Sequence, residues 1–398
     1  MINPSASGWI DKFFSRLKSR LYENQDSRGF YLSVRETGFI YGHVVSFNDL
    51  DATETQGWTT EETTKAALLN TLYGLYRLVE KNEDKNVFIT RAIAFYKQMT
   101  PEGFNLFKKV LPASSPSQQL EEILDERIRT NDNIISRNFS HILTNALLFM
   151  DVLAFRQYLD NNELPEKYLR KLEETVMGIV AIALNSKEEK SHYDGLLIKL
   201  FESSTRYTKL SKINNGNVTM PDLSFVTSYL EKNYLLDMAG MAVWSDGAEE
   251  QTETQFLYRL ASLLEIDNAT AHESIDSFHN FIETYKHEIA YFRYSNPIKH
   301  FYGNAAQTVI LLIKRNKNRL IKEISNNGEL MLLLTHSTHR SLDEKEKKKV
   351  KKQLLEICKT VPSLTIFLLP GGSLLLPLLI KFIPKLLPSV FNENLDNE

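Results

Sequence analysis

The sequence predicts an all-α fold: a multi-helix bundle array that ends in a kinked, proline-containing apolar helical segment. Three observations carry this. Apolar residues recur at spacings of three and four through nearly every patterned stretch. Gly (16) and Pro (12) are scarce for 398 residues, which disfavours a turn-rich all-β chain. Helix starts carry capping residues, such as Thr60 before "EETTK" and Asp343 before "EKEKKK".

The first element is a short amphipathic helix within "MINPSASGWIDKFFSRLKSRLYE". Trp9, Ile10, Phe13, Phe14, Leu17 and Leu21 share one face, with Lys12, Arg16, Lys18 and Arg20 elsewhere. The stretch lacks the unbroken apolar core of a secretory signal, so it reads as a terminal helix docked on the body, the alternative being a membrane-surface helix. Next, "YLSVRETGFIYGHVVSF" (31–47) is rich in β-branched and aromatic residues and reads as a short hairpin or a packed loop. In "TKAALLNTLYGLYRLVE" (64–80), Ala67, Leu68, Leu72, Leu75 and Leu78 form a helical stripe. The same period predicts helices near 86–98, 118–130, 134–160, 166–185, 192–206, 222–244, 251–265, 270–294, 298–325 and 343–360. "PASSPS" (112–117) reads as a linker, and "KINNGNVTMPD" (212–222) as a polar loop. The expected division is an N-terminal helical region (1–115), a middle helical domain (116–295) and a C-terminal region (296–398) containing an apolar segment, 364–391.

Composition bounds the function. The net charge of −3 draws the chain as a whole neither to nucleic acid nor to an acidic membrane. The single cysteine, Cys358, excludes an intrachain disulfide framework and a multi-cysteine metal site, and its apolar helical context reads as packing. Phosphate-binding, dinucleotide-binding and nucleophile-elbow motifs are absent. One helix offers ligand types at metal spacing. "HESIDSFHNFIETYKHEIAYF" (272–292) places His279, Glu283 and His287 at i, i+4 and i+8, with Asp276 three residues earlier. That row is most simply the solvated face opposite Phe278, Phe281, Ile282 and Tyr285.

A weak internal repeat pairs 182–204 with 241–264. Around the second copy, 235–266 resembles the TerB-like tellurite-resistance domain through Ala239, Ala242, Asp246, Gly247, Glu250, Glu253, Leu257, Leu260 and Leu264. The resemblance implies a helical bundle and makes Asp246, Glu250 and Glu253 a candidate cation loop. The simpler reading, preferred here, is an Asp-Gly turn whose Asp caps the next helix.

The C-terminal stretch "LTIFLLPGGSLLLPLLIKFIPKLLPSVF" (364–391) is the most apolar. Its uncharged part, 364–380, would span about 26 Å as a helix, just under the roughly 30 Å of a hydrocarbon core. Pro370, Pro377 and Pro384 recur every seven residues and would kink it. The basic run "EKEKKKVKK" lies upstream and acidic residues lie downstream, which places the bulk of the chain on the cytoplasmic side if the segment spans. The alternative is a charged helix followed by a buried one.

The residues 341–391 resemble the LETM-like family of leucine-zipper, EF-hand-containing transmembrane proteins. The matching positions are Val361, Pro362, Pro370, Leu374, Leu375, Leu376, Pro377, Phe382, Pro384, Leu387, Pro388, Ser389 and Phe391, with Lys381 in the same segment. The resemblance extends to bacterial relatives that pair such a segment with a long helical N-terminal region and are labelled LETM-related and biofilm-associated. Two departures stand out. Ser373 replaces the family's acidic residue, which weakens cation transport as a reading. The family's ribosome-binding domain and EF-hand are expected beyond Glu398, so ribosome binding is implied by the family but its domain is expected to be missing. The resemblance thus implies a non-enzymatic membrane-associated protein at the cytoplasmic face of a bacterial inner membrane. Its role would lie in membrane-linked ion or stress homeostasis or in biofilm physiology. The alternatives are a soluble cytoplasmic location, a cation/proton exchanger, or a metal-dependent enzyme on 272–292. No cofactor is expected, and the expected partner is membrane lipid, not nucleic acid. The sequence sets no oligomeric state.

Overall fold

The structure is a computed structural model. It describes residues 2–17, 26–99, 115–129, 145–162, 164, 166–186, 220–243, 251–289, 306, 309–361, 364, 367 and 375–386. All regular structure among these residues is helical. Of the linker expected at 112–117, residues 112–114 lie outside the described residues and Pro116 and Ser117 open a helix instead; the helix expected at 192–206 and most of the 212–222 loop also lie outside the described residues. The chain divides into two compact units: Met1–Asp132 with Ser140–Pro297, and Asn133–Phe139 with Ile298–Glu398. The 115/116 boundary lies inside the first unit.

The first unit opens with α1 (Trp9–Arg16), whose N-cap, Gly8, has no side chain to offer. Glu121 supplies the missing acceptor from α6 (Pro116–Arg129): its carboxylate accepts from the Gly8 and Ile10 N–H groups, each at 3.0 Å. Trp9, Ile10 and Phe13 are buried, so α1 is docked. Burial pushes the Glu121 carboxyl up, and the backbone donors pull it back.

Helix α2 (Ser27–Glu36) starts at Asp26, which accepts from the Gly29 N–H at 2.7 Å. It corrects the hairpin expected over 31–47. Tyr31, Val34 and Arg35 are the buried face of a helix, and only the part from Thr37 onward is a packed loop. Aromatic and β-branched residues are common on buried helix faces, and here burial outweighs β-propensity. The chain turns at Gly38 (φ 78°), where a Cβ would lie 2.1 Å from the His43 carbonyl oxygen. A single turn, α3 (Ala52–Thr55), precedes α4 (Thr60–Glu80). Thr59, one residue before the expected cap, forms a capping box with Glu62.

Helices α5 (Lys85–Gln98), α6, α7 (Phe149–Asn161) and α8 (Glu166–Asn185) follow, then α9 (Tyr229–Val243), α10 (Gln251–Leu263) and α11 (Asn268–Tyr285). Pro116 opens α6, where its absent N–H costs nothing. Helix α4 packs on α7, α5 on α6, and α9 on α8, α10, α11 and α2. From Leu230 to Val243, α9 is buried on nearly every side, as a central helix must be. Two expected helices are shorter than their periodicity: 222–244 starts at Tyr229, and 270–294 gives way to a turn at 286–288.

Three buried carboxylates in this unit are satisfied by partners from other helices, as burial requires. Asp237 on α9 accepts from Tyr31 Oη at 2.6 Å and Arg35 Nε at 3.0 Å, and Arg35 donates on to Ser274 at 2.8 Å. Asp151, fully buried on α7, is gripped at both oxygens by Arg127 of α6 and receives the Tyr96 hydroxyl at 3.2 Å. Glu231 caps its own helix through the Thr227 and Ser228 N–H groups and accepts from Tyr168 at 2.7 Å.

The second unit holds a helical run at 309–315, then α12 (Lys317–Ser325), α13 (Gly328–His339), α14 (Glu344–Thr360) and α15 (Leu376–Leu386). The single helix expected over 298–325 is interrupted at Asn316, and α13 lies where the spacing predicts no helix. Helix α13 packs against α12, α14 and α15, and α15 also meets α14. Leu375, Leu376, Leu379 and Ile383 are buried to within 2% exposure. Among the described residues, no helix is long and apolar enough to cross a membrane.

Candidate functional site

The chemistry-bearing part of the C-terminal unit is built around α14. Its N-terminus is locked by a reciprocal capping box: the Glu346 N–H donates to Asp343 at 2.7 Å, and the Asp343 N–H donates to Glu346 at 2.9 Å. Arg340 adds a fork of two hydrogen bonds to Glu346, at 2.8 and 2.5 Å. Together these donors hold the Glu346 carboxyl down at about 2. Val350, Leu354, Ile357 and Cys358 form the buried face. Burial pushes the Cys358 thiol up to about 12, so it packs as an inert apolar group, as its context predicts.

The other side of α14 is lysine. Three of its seven lysines are occupied in ion pairs: Lys347 with Glu344 at 2.9 Å, Lys349 with Glu329 at 2.7 Å, and Lys359 with Glu356 at 2.7 Å. Lys345, Lys348, Lys351 and Lys352 are exposed and have no ion-pair partner among the described residues. Spacings of three and four align Lys345, Lys348 and Lys352 on one face, with Lys351 beside them. On and before α12, Lys314, Arg315, Lys317, Arg319 and Lys322 are likewise exposed. Residues 309–361 carry thirteen Lys and Arg against six Asp and Glu, although the whole chain is net negative. This local concentration is masked by the global balance, and a windowed charge count finds it.

The apolar segment lies where α14 ends. Val361 is buried, with its N–H donating to the Ile357 carbonyl at 3.2 Å. Leu375 and Leu376 are buried and Pro377 is exposed in the first turn of α15, where a proline is tolerated. Pro384 is buried inside α15 and leaves the Ile380 carbonyl without its helical donor. Lys381 is exposed with its ammonium 5.6 Å from the Phe382 ring centroid. Pro362, Pro370, Leu374, Leu387, Pro388, Ser389 and Phe391 lie outside the described residues. The described helix has 11 residues, about 16 Å, roughly half the length needed to span a hydrocarbon core.

Of the other sequence-derived sites, the candidate cation loop lies largely outside the described residues. Asp246 and Glu250 lie outside the described residues, and Glu253 is fully buried at the start of α10 rather than displayed on a loop. On α11, Asp276 faces His272 at 3.4 Å and Glu283 pairs with Lys286 at 2.6 Å. Asp276, His279, Glu283 and His287 form no cluster: among the described residues no group of three or more His, Cys, Asp and Glu is placed to hold a metal ion.

Comparison with known families gives one match. Residues 342–398 match a family model described as LETM1-like, RBD. The matched segment takes in α14, α15 and nearly all of the stretch that carries the LETM-like resemblance, so the C-terminal segment is similar to that family. The match does not reach 235–266, where the sequence resembles TerB-like domains. No curated protein and no solved structure matches the chain.

Proposed function

We propose that this chain is a non-enzymatic, LETM-like protein that works at a membrane surface, in membrane-linked ion or stress homeostasis or in biofilm physiology. The observation that carries the reading is the match over 342–398, which joins a lysine-faced helix to a short apolar one. The attachment is peripheral. The leucines of α15 are already buried against α13 and α14, so their area is not available to lipid. The lysine side of α14 faces outward instead. A cation/proton exchanger fits less well, because 364–391 contains no carboxylate. Reconstituted in liposomes, the protein should show cation flux at background.

The direct test is fractionation of the full-length protein from cells. It should sediment with membranes at low ionic strength and be released by high salt. Recovery in the soluble fraction at low salt would exclude the reading. A second reading, ribosome binding, is favoured by one observation, the RBD in the family model's description. Its signature is co-sedimentation with ribosomes from membrane-free extract, retained when vesicles are supplied in excess.

A further inference from the structure

The lysine face of α14 raises the question of which polyanion it recognises. Four of its seven lysines have no ion-pair partner among the described residues, on a helix whose other charges are largely internally neutralised. Left exposed side by side, like charges cost free energy unless a counter-charge arrives. The helix that presents them is held firmly: its N-terminus has the double cap and the Arg340 fork, and its opposite face is core. The lysines are therefore displayed on a rigid rod rather than on a flexible tail.

The composition of the face selects between anionic partners. From Gly303 to Ile366 the chain contains no Phe, Tyr or Trp, so the large rings on which unpaired bases stack best are lacking and only the imidazoles of His336 and His339 remain. Helix α14 contains no arginine, the residue suited to bidentate phosphate contacts along a nucleic-acid backbone. Arg340, just before it, is engaged by Glu346. Lysines are compact point charges on long apolar stems, which suit a plane of headgroups that can rearrange around each ammonium. The same unit leaves two large apolar residues in water, Leu311 at 45% and Leu332 at 56% exposure. Both belong to helices other than α14, and exposed leucines in a basic unit suit a lipid interface better than a phosphate backbone.

We infer that Lys345, Lys348, Lys351 and Lys352 form a recognition face for anionic phospholipid headgroups. The inference rests on the membrane-surface reading and deepens it: the partner is set by lipid charge, and by this face rather than by net charge.

The test is flotation of the full-length protein with vesicles of phosphatidylcholine alone and of phosphatidylcholine with phosphatidylglycerol. Binding should require phosphatidylglycerol. Each Lys→Gln change on the face should weaken it about fivefold. The quadruple variant Lys345→Gln, Lys348→Gln, Lys351→Gln, Lys352→Gln should lose about a hundredfold or more while keeping its helical circular dichroism. A charge-matched variant, Lys12→Gln, Lys81→Gln, Lys97→Gln, Lys167→Gln, should bind as the parent does. Equal losses in the two quadruple variants would overturn the inference in favour of net charge. Equal binding to both vesicle types would overturn it while leaving membrane association standing. Binding to neither vesicle would overturn both. Lysine-dependent binding to a folded RNA, with none to vesicles, would assign the face to RNA phosphate and overturn the inference.

Discussion

Arg35 and Asp237 are 202 residues apart in the chain and 3.0 Å apart in the fold, with side chains 4% and 1% exposed. The pair ties α2 to α9 through the centre of the N-terminal unit. Burial opposes charge on Arg35, but Asp237 beside it holds the guanidinium more firmly protonated than usual. Burial pushes the Asp237 carboxyl up, and Arg35 and Tyr31 pull it part of the way back.

Removing one partner strands the other. Asp237→Ala should cost about 3–5 kcal/mol, because a buried guanidinium is left unpaired. The triple variant Tyr31→Phe, Arg35→Met, Asp237→Leu should cost less than that single change, since it leaves no buried charge unpaired and takes from the buried Ser274 hydroxyl only its Arg35 donor. Urea unfolding followed by circular dichroism reads both. A triple variant less stable than Asp237→Ala would mean that the network contributes more than pairwise neutralisation.

Gly38 is the position where the turn after α2 depends on glycine. A substituent there would meet both a left-handed backbone, at about 1–2 kcal/mol for an L-residue, and the His43 carbonyl 2.1 Å away. Gly38→Ala should therefore lower the unfolding midpoint, whereas Gly57→Ala, also at positive φ but with nothing within 4 Å, should cost only the backbone term. Equal costs at the two sites would contradict the close approach.

The α14 cap predicts a pH dependence. Glu346 titrates at about 2 in the fold against an ordinary 4.5. A depressed carboxylate contributes stability that is fully present above 4.5 and is lost as pH falls from there toward about 2. Carboxyl NMR should place its midpoint near 2, with the first turn of α14 losing amide protection over the same window. Arg340→Ala should move the midpoint up toward 4.5, because Arg340 is the largest cause of the shift. A midpoint near 4.5 in the parent would show that the fork does not form in solution.

The helices of this protein are largely legible in its sequence, because helical spacing and caps are local. The Asp343 cap and the stripe of α4 are read directly. Where the reading failed, contacts distant in sequence decided. Tyr31 and Val34 look strand-like until α9 is known to cover them. The compact "ELMLLLTHSTH" of α13 shows no clean period because several of its sides are used. The site was half legible. The lysines of α14 stand out in the sequence, but which of them are free depends on Glu329, 20 residues before Lys349. The carboxylates and histidines of α11 have metal spacing on one helix, but among the described residues no other group completes a shell, a fact that lies in the packing.

Under the proposed function, the C-terminal apolar helix stays in the core of a membrane-bound protein that its basic neighbour holds at the surface. Single cysteines at Leu379, Lys381, Ile383 and Lys385 in a Cys358→Ala background, spin-labelled and bound to phosphatidylglycerol-containing vesicles, test this most directly. The account predicts that labels at 381 and 385 are relaxed by an aqueous nickel chelate, while those at 379 and 383 are immobilised and reached poorly by either nickel or oxygen. Strong relaxation by oxygen at 379 and 383, with exclusion of nickel at all four positions, would mean that α15 sits in hydrocarbon, and the account would be wrong.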